Sequence, residues 1–127
     1  MKKVLVIDDE LAVRTITQII LTRLGYEVLL ADNGRQGLEL NHREHPDVIV
    51  LDVTMPEMDG VDVLTQIRKV DLHQAVIIMT GDCRPEIERQ LRALGISDFI
   101  VKGDATLQAL QDALTRLFPA LLPLMIS

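Results

Sequence analysis

The sequence predicts an α/β fold in which helices cover both faces of a parallel sheet, and two observations carry that prediction. Five short apolar runs have the length of strands: Val4 to Ile7, Tyr26 to Ala31, Val48 to Leu51, Ala75 to Met79 and Phe99 to Val101. They are near-continuously apolar rather than alternating, as strands buried on both faces are. After each run, apolar residues recur three and four positions apart, the pattern of a helix with one buried stripe. Strict alternation of the two kinds requires right-handed crossovers, which put a helix after every strand.

The elements follow in order. The first helix carries Val13, Ile16, Ile20 and Leu24 as its stripe and ends at Gly25; Leu38 marks the second, and Val61, Leu64 and Ile67 the third. Pro85 opens the fourth, with Ile87, Leu91 and Leu94 along its stripe and Gly95 after its end. Leu107, Leu110, Leu114 and Leu117 mark the fifth. Proline in a first turn and glycine past a last one are the expected punctuation. These units fill residues 1–118 as one domain. Residues 119–127 form an apolar tail, which is expected to cover an apolar patch on its own domain or on a second copy of the chain, making a homodimer, in preference to one on a further downstream segment, because a linker is normally polar.

Composition narrows the classes of function. A domain of 127 residues buries roughly two thirds of the surface its unfolded chain exposes. Only Tyr26, Phe99 and Phe118 are aromatic, so the core is built from Val, Ile, Leu, Met and Ala. A net charge of −6 argues against a surface that neutralises nucleic-acid phosphates or anionic lipid. Cys83 alone makes no internal disulfide, and Met1-Lys2-Lys3 runs straight into a strand with no cleavage signal, so a cytoplasmic location is expected. No apolar segment reaches the roughly 20 residues that cross a bilayer.

In an open parallel sheet the working crevice lies outside the carboxyl ends of the strands. Strand one runs into Asp8-Asp9-Glu10, strand three into Asp52, strand four into Thr80-Gly81 and strand five into Lys102-Gly103. Carboxylates so gathered repel by roughly 4 kcal/mol a pair at about 4 Å and an effective dielectric near 20. Lys102 supplies one compensating charge. Oxygen-only ligation by Asp8, Asp9 and Asp52 suits Mg2+, or Mn2+, better than zinc. A carboxylate can attack phosphorus and hold the group as an acyl phosphate if the charge on the transferring oxygens is neutralised. Asp52, alone at the end of a central strand, is the candidate nucleophile; Lys102 and the Thr80 hydroxyl are the candidate stabilisers of the phosphoryl oxygens.

These residues resemble the receiver domain of two-component response regulators. The matching stretches are Val4-Leu5-Val6-Ile7-Asp8-Asp9-Glu10, Leu51 to Gly60, Met79-Thr80-Gly81 and Asp98-Phe99-Ile100-Val101-Lys102. The resemblance implies a flavodoxin-like, doubly wound (βα)5 sheet in the order 2-1-3-4-5. It also implies phosphorylation of Asp52 by a sensor histidine kinase or phosphotransfer protein, with Mg2+ held by Asp9, Asp52 and the backbone carbonyl of Thr54 while Asp8 anchors the metal's waters. Thr80 and Phe99 are then the switch residues that remodel the face made by helix four, strand five and helix five. That face would meet a downstream protein target or an output domain outside this chain. Thr54 and Asp82 would flank the path of attacking water and tune the phosphoryl lifetime, and Thr15, Gln18 and Thr22 on helix one would face the kinase.

One departure stands out. The family usually has a cis proline after the lysine, and this chain has Gly103, which leaves backbone angles unfixed and predicts a looser loop. The alternative reading is accordingly a receiver-like interaction scaffold with weak or no phosphorylation. An aspartyl phosphatase would have Asp where Thr54 stands, and Asp8-Asp9-Glu10 would repel a flavin phosphate. His42 and His45 end a helix beside Arg43 and Pro46 with no acidic or cysteine partner arranged to share a metal, and Cys83 reads as an ordinary small apolar residue.

Overall fold

The computed structural model describes residues 1–119, and the tail expected to cover an apolar patch lies, from residue 120 on, outside the described residues. Ten elements alternate strictly: β1 (Lys3–Ile7), α1 (Leu11–Arg23), β2 (Glu27–Ala31), α2 (Gly34–Glu44), β3 (Val48–Leu51), α3 (Gly60–Val70), β4 (Ala75–Thr80), α4 (Pro85–Leu94), β5 (Asp98–Val101) and α5 (Thr106–Leu117). The strands form one parallel sheet in the order β2-β1-β3-β4-β5. The chain therefore reverses its direction of winding between β1 and β3, which are hydrogen-bonded neighbours in register from Val4↔Val48 to Ile7↔Leu51.

Because successive strand residues point to opposite faces, the continuous apolar runs divide into two cores. Val4, Val6, Val48, Val50, Ile77, Met79 and Ile100 meet Leu21 of α1 and Leu110, Ala113 and Leu114 of α5. Leu5, Ile7, Ile49, Leu51, Val76 and Ile78 meet α2, α3 and α4 through Leu38, Val63, Leu64, Ile67 and Leu91. At roughly 25 cal/mol per Å2 of apolar area removed from water, these two layers are the main force holding the strand ends in register.

The first helix corrects one expectation. Its buried line is Thr17 and Leu21, flanked by the half-buried Val13, Ile20 and Leu24, whereas Ile16 is 49% exposed. Spacings of four place Val13, Thr17 and Leu21 on one ridge, and Thr17, being polar, is invisible to a search for apolar periodicity. In α2 the buried positions are Gly34 and Gly37, with Leu38 only half-buried. A β-carbon on Gly37 would fall 2.4 Å from Ile7 Cδ1, so glycine lets this helix lie close on β1. Gly25 and Gly95 follow α1 and α4 at φ +96, a left-handed region that suits glycine.

Candidate functional site

Two strand ends bring the acidic groups together. Asp8 follows β1 and its N–H donates to Ala31 O at 3.1 Å; Asp52 follows β3 and its N–H donates to Ile7 O at 2.9 Å. Ladder bonds thus continue one residue past the strands and hold both aspartates against the central pair. The β3–α3 loop is closed by the Gly60 N–H donating to Val53 O at 2.8 Å, and α3 begins with a reciprocal cap between Asp59 and Asp62. A β-carbon on Gly60 would sit 2.6 Å from the Asp52 carbonyl oxygen, so the loop reaches this shape only with glycine there.

Oxygens of Asp8, Glu10 and Asp52 lie within 4.8 Å of one another. Lys102, following β5, reaches across to all three: its Nζ is 2.9 Å from Asp8 Oδ2, 2.9 Å from Glu10 Oε1 and 3.2 Å from Asp52 Oδ2. Asp8 and Asp52 are buried, at 1% and 3% exposure, and the Glu10 carboxylate is largely solvated. Asp8 Oδ1 accepts the Glu10 N–H at 2.9 Å. Asp8 Oδ2 has no aligned hydrogen-bond donor, although the Lys102 ammonium lies 2.9 Å from it. Burial pushes the Asp8 carboxyl above the usual carboxylate range, against the opposing pull of the Glu10 N–H and Lys102. Burial works to lower the Lys102 pKa, but the close Asp8 and Glu10 carboxylates and the charge of Asp52 outweigh it and hold the ammonium well above the ordinary lysine value.

The other residues singled out from the sequence distribute as follows. Thr54 is exposed, and its N–H donates to Asp52 Oδ1 at 3.3 Å. Asp9 is exposed and stands outside the group of three, whose third member is Glu10. Glu10 was legible only as part of an acidic run; it is the N-cap of α1, makes no side-chain cap, and turns its carboxylate to Lys102 instead. Thr80 is buried, its hydroxyl accepts the Asp82 N–H at 3.2 Å, and its carbonyl accepts the Lys102 N–H at 2.8 Å. Asp82 is clamped by Arg84 through bonds of 2.9 and 2.7 Å, and these hold its carboxyl below the usual range.

Phe99 is half-buried against the α2–α4 core and lines a cleft of about 350 Å3 with Val101, Ala105, Ala109 and Arg116. Thr15, Gln18 and Thr22 are exposed on α1. His42 and His45 line a separate cleft with Asp71 and are not among the described groups close enough to share a metal ion. Cys83 is exposed.

The whole arrangement corresponds to a known family: residues 4–115 match the response regulator receiver domain. The chain belongs to that family. Its receiver fold is 36% identical over 102 residues to the chemotaxis protein CheY of Thermotoga maritima, covering 80% of this chain and 85% of that one. It is 42% identical over 102 residues to the probable transcriptional regulator ycf27 of Galdieria sulphuraria. That match covers 80% of this chain, which spans 39% of the length of the relative. Among solved structures, the response regulator protein TrrA from Thermotoga maritima, in complex with Mg2+ and BeF, superposes with a TM-score of 0.83 at 28% identity, over 93% of this chain and all of that one.

As an all-oxygen donor set, the receiver's acidic cluster fits a hard divalent cation. Three carboxylates facing one ammonium leave an excess of negative charge, and a buried oxygen without a donor is the kind of atom a cation would satisfy. No described helix is long and apolar enough to cross a membrane.

Proposed function

We propose that this receiver is a phosphorylation-controlled switch that accepts a phosphoryl group on Asp52 and presents a changed surface to another protein. The observation that carries the reading is the meeting of Asp8, Glu10 and Asp52 at a single ammonium, two of the three carboxylates being buried. Asp52 is the buried carboxylate at the end of a central strand, fixed by its backbone and by the Thr54 N–H. One of its oxygens bonds to phosphorus while the bond from phosphorus to the donor breaks, leaving an acyl phosphate on Asp52 and the electron pair on the leaving group. For a kinase or phosphotransfer protein the leaving group is a histidine imidazole.

Mg2+, or Mn2+, held by Asp8, Asp9 and Asp52 with the Thr54 carbonyl, would neutralise charge on the transferring oxygens. Glu10 is the further carboxylate at hand. Lys102 moves from its carboxylates to the phosphoryl oxygens, and the Thr80 hydroxyl gives up the Asp82 N–H to donate to the same group. These new bonds supply part of the differential free energy for the switch, which requires about 5.5 kcal/mol to go from 1:99 to 99:1. Phe99, half-buried on β5 against the core that α4 also covers, is the candidate side chain through which the change reaches the α4–β5–α5 face. A downstream protein or an output domain is the proposed reader, in the cytoplasm.

Incubation with acetyl phosphate and Mg2+ tests the reading. The expected result is a hydroxylamine-labile phosphoryl adduct mapped to Asp52 by peptide mass spectrometry and absent from Asp52→Ala. No adduct, or one that survives the substitution, overturns it in favour of the scaffold.

A further inference from the structure

The ammonium of Lys102 is the group whose aim matters most in the cluster, yet its backbone leaves the sheet at once. β4 ends at Thr80, and the Lys102 N–H to Thr80 O bond of 2.8 Å is the last rung on that edge. The next residue is Gly103. Its backbone is not in the left-handed region, and an added β-carbon would meet nothing within 4 Å. Neither dihedral need nor crowding therefore calls for glycine, and what it contributes is backbone freedom beside a functional lysine.

That freedom is restrained from an unexpected place. Thr106, the first residue of α5, accepts the Gly103 N–H on its hydroxyl at 2.6 Å and donates the hydroxyl proton to the Gly103 carbonyl at 2.7 Å. Its own N–H donates to the same carbonyl at 3.2 Å. The Gly103 N–H belongs to the peptide plane that joins Lys102 to Gly103, so fixing it fixes ψ of Lys102. The carbonyl bonds fix the next plane. One side chain thus brackets both peptide groups of the glycine, and the cap of α5 does no such work, because Ala105 has no side-chain acceptor to offer.

We propose that Thr106 is a positioning residue for phosphoryl transfer, acting by holding the Lys102–Gly103 peptide so that the Lys102 ammonium is directed at Asp52. The inference rests on the reading of Lys102 as a stabiliser of the phosphoryl group. It replaces the expectation of a loose loop with a specific restraint that a hydroxyl supplies.

The test is the rate of phosphorylation by acetyl phosphate at saturating Mg2+ in Thr106→Val, Thr106→Ser, Lys102→Ala and the Thr106→Val/Lys102→Ala double variant. Thr106→Val is expected to slow the reaction roughly tenfold, the scale of a modest misplacement of a catalytic group. Mg2+ affinity should stay unchanged, and Thr106→Ser should restore the rate. On the Lys102→Ala background the valine should cost nothing further, since its effect passes through the absent ammonium. Circular dichroism melting shows which variants are folded, and Thr106→Ala replaces the valine variant should that one fail to fold. If Lys102→Ala is impaired while Thr106→Val matches the wild type, or if the valine slows the double variant as much as the single one, the positioning role is wrong. If Lys102→Ala itself reacts at the wild-type rate, the reading of Lys102 falls, and the positioning role with it.

Discussion

Replacing Lys102 by methionine keeps the apolar stem and removes the charge that faces three carboxylates. At an effective dielectric of about 20, contacts of 2.9 Å to Asp8 and 3.2 Å to Asp52 each amount to roughly 5 to 6 kcal/mol of attraction. The third contact, to the solvated Glu10, is screened and adds little. Repulsion between like charges 4.8 Å apart is roughly 3.5 kcal/mol a pair. Desolvation offsets much of the attraction in the wild type, so removing one partner of the buried pairs should cost roughly 3 to 5 kcal/mol. Urea unfolding near neutral pH in a chelator measures that loss, and Mg2+ should then stabilise Lys102→Met more than the wild type.

Acid gives a second handle on the same variant. The folded-state pKa of Asp8 is raised, so its contribution is present below the unfolded value and is lost as pH rises through the folded one. Without Lys102 that carboxyl is raised further, and the stability of Lys102→Met in the chelator should climb as the solution is acidified from neutral. Lys102 itself, raised above the ordinary lysine value, stays charged throughout and adds no slope in the wild type. Unfolding of the variant at the wild-type urea midpoint in the chelator, or an equal Mg2+ increment in the two proteins, would show that the cluster carries no uncompensated charge.

Other consequences are as direct. Gly60→Ala drives a β-carbon to within 2.6 Å of the Asp52 carbonyl oxygen and 2.7 Å of Val53 Cα, backbone atoms that cannot swing aside. It should cost roughly 1 to 3 kcal/mol and slow phosphorylation together; wild-type behaviour in both urea unfolding and the acetyl phosphate assay would refute the close approach. Gly103→Ala, with open space and no left-handed backbone, should raise stability by about 0.4 to 1 kcal/mol, read as a higher melting temperature. A lower melting temperature would mean the loop needs glycine after all. The Asp82–Arg84 pair forms above the ordinary carboxylate range and is lost as pH falls through the depressed Asp82 value, so in Arg84→Ala the Asp82 carboxyl should titrate higher by NMR. An unmoved titration would show that the pair does not form in solution.

Much of this molecule could be read before any coordinate. Continuous apolar runs such as Val48 to Leu51 and the glycines after α1 and α4 marked strands and helix ends to within a residue or two. Asp8, Asp52, Thr80 and Lys102 could be assigned to one sheet edge because a parallel strand delivers whatever follows it to the same end. The stripe of α1 was misjudged because Thr17 is polar and buried while Ile16 is apolar and half exposed. Glu10 is legible only as a member of an acidic run, because no local pattern says that a residue at a helix start will turn toward a lysine 92 positions away.

What the chain settles by itself is the set of elements and the end of the sheet at which its charged groups emerge, since periodicity and strand direction are local properties. Distances among those groups are not local. That Lys102, after β5, shares itself among Asp8, Glu10 and Asp52 depends on a side chain crossing to the ends of β1 and β3. Such crossings are decided only when two packed cores have set the strands and helices at their final separations.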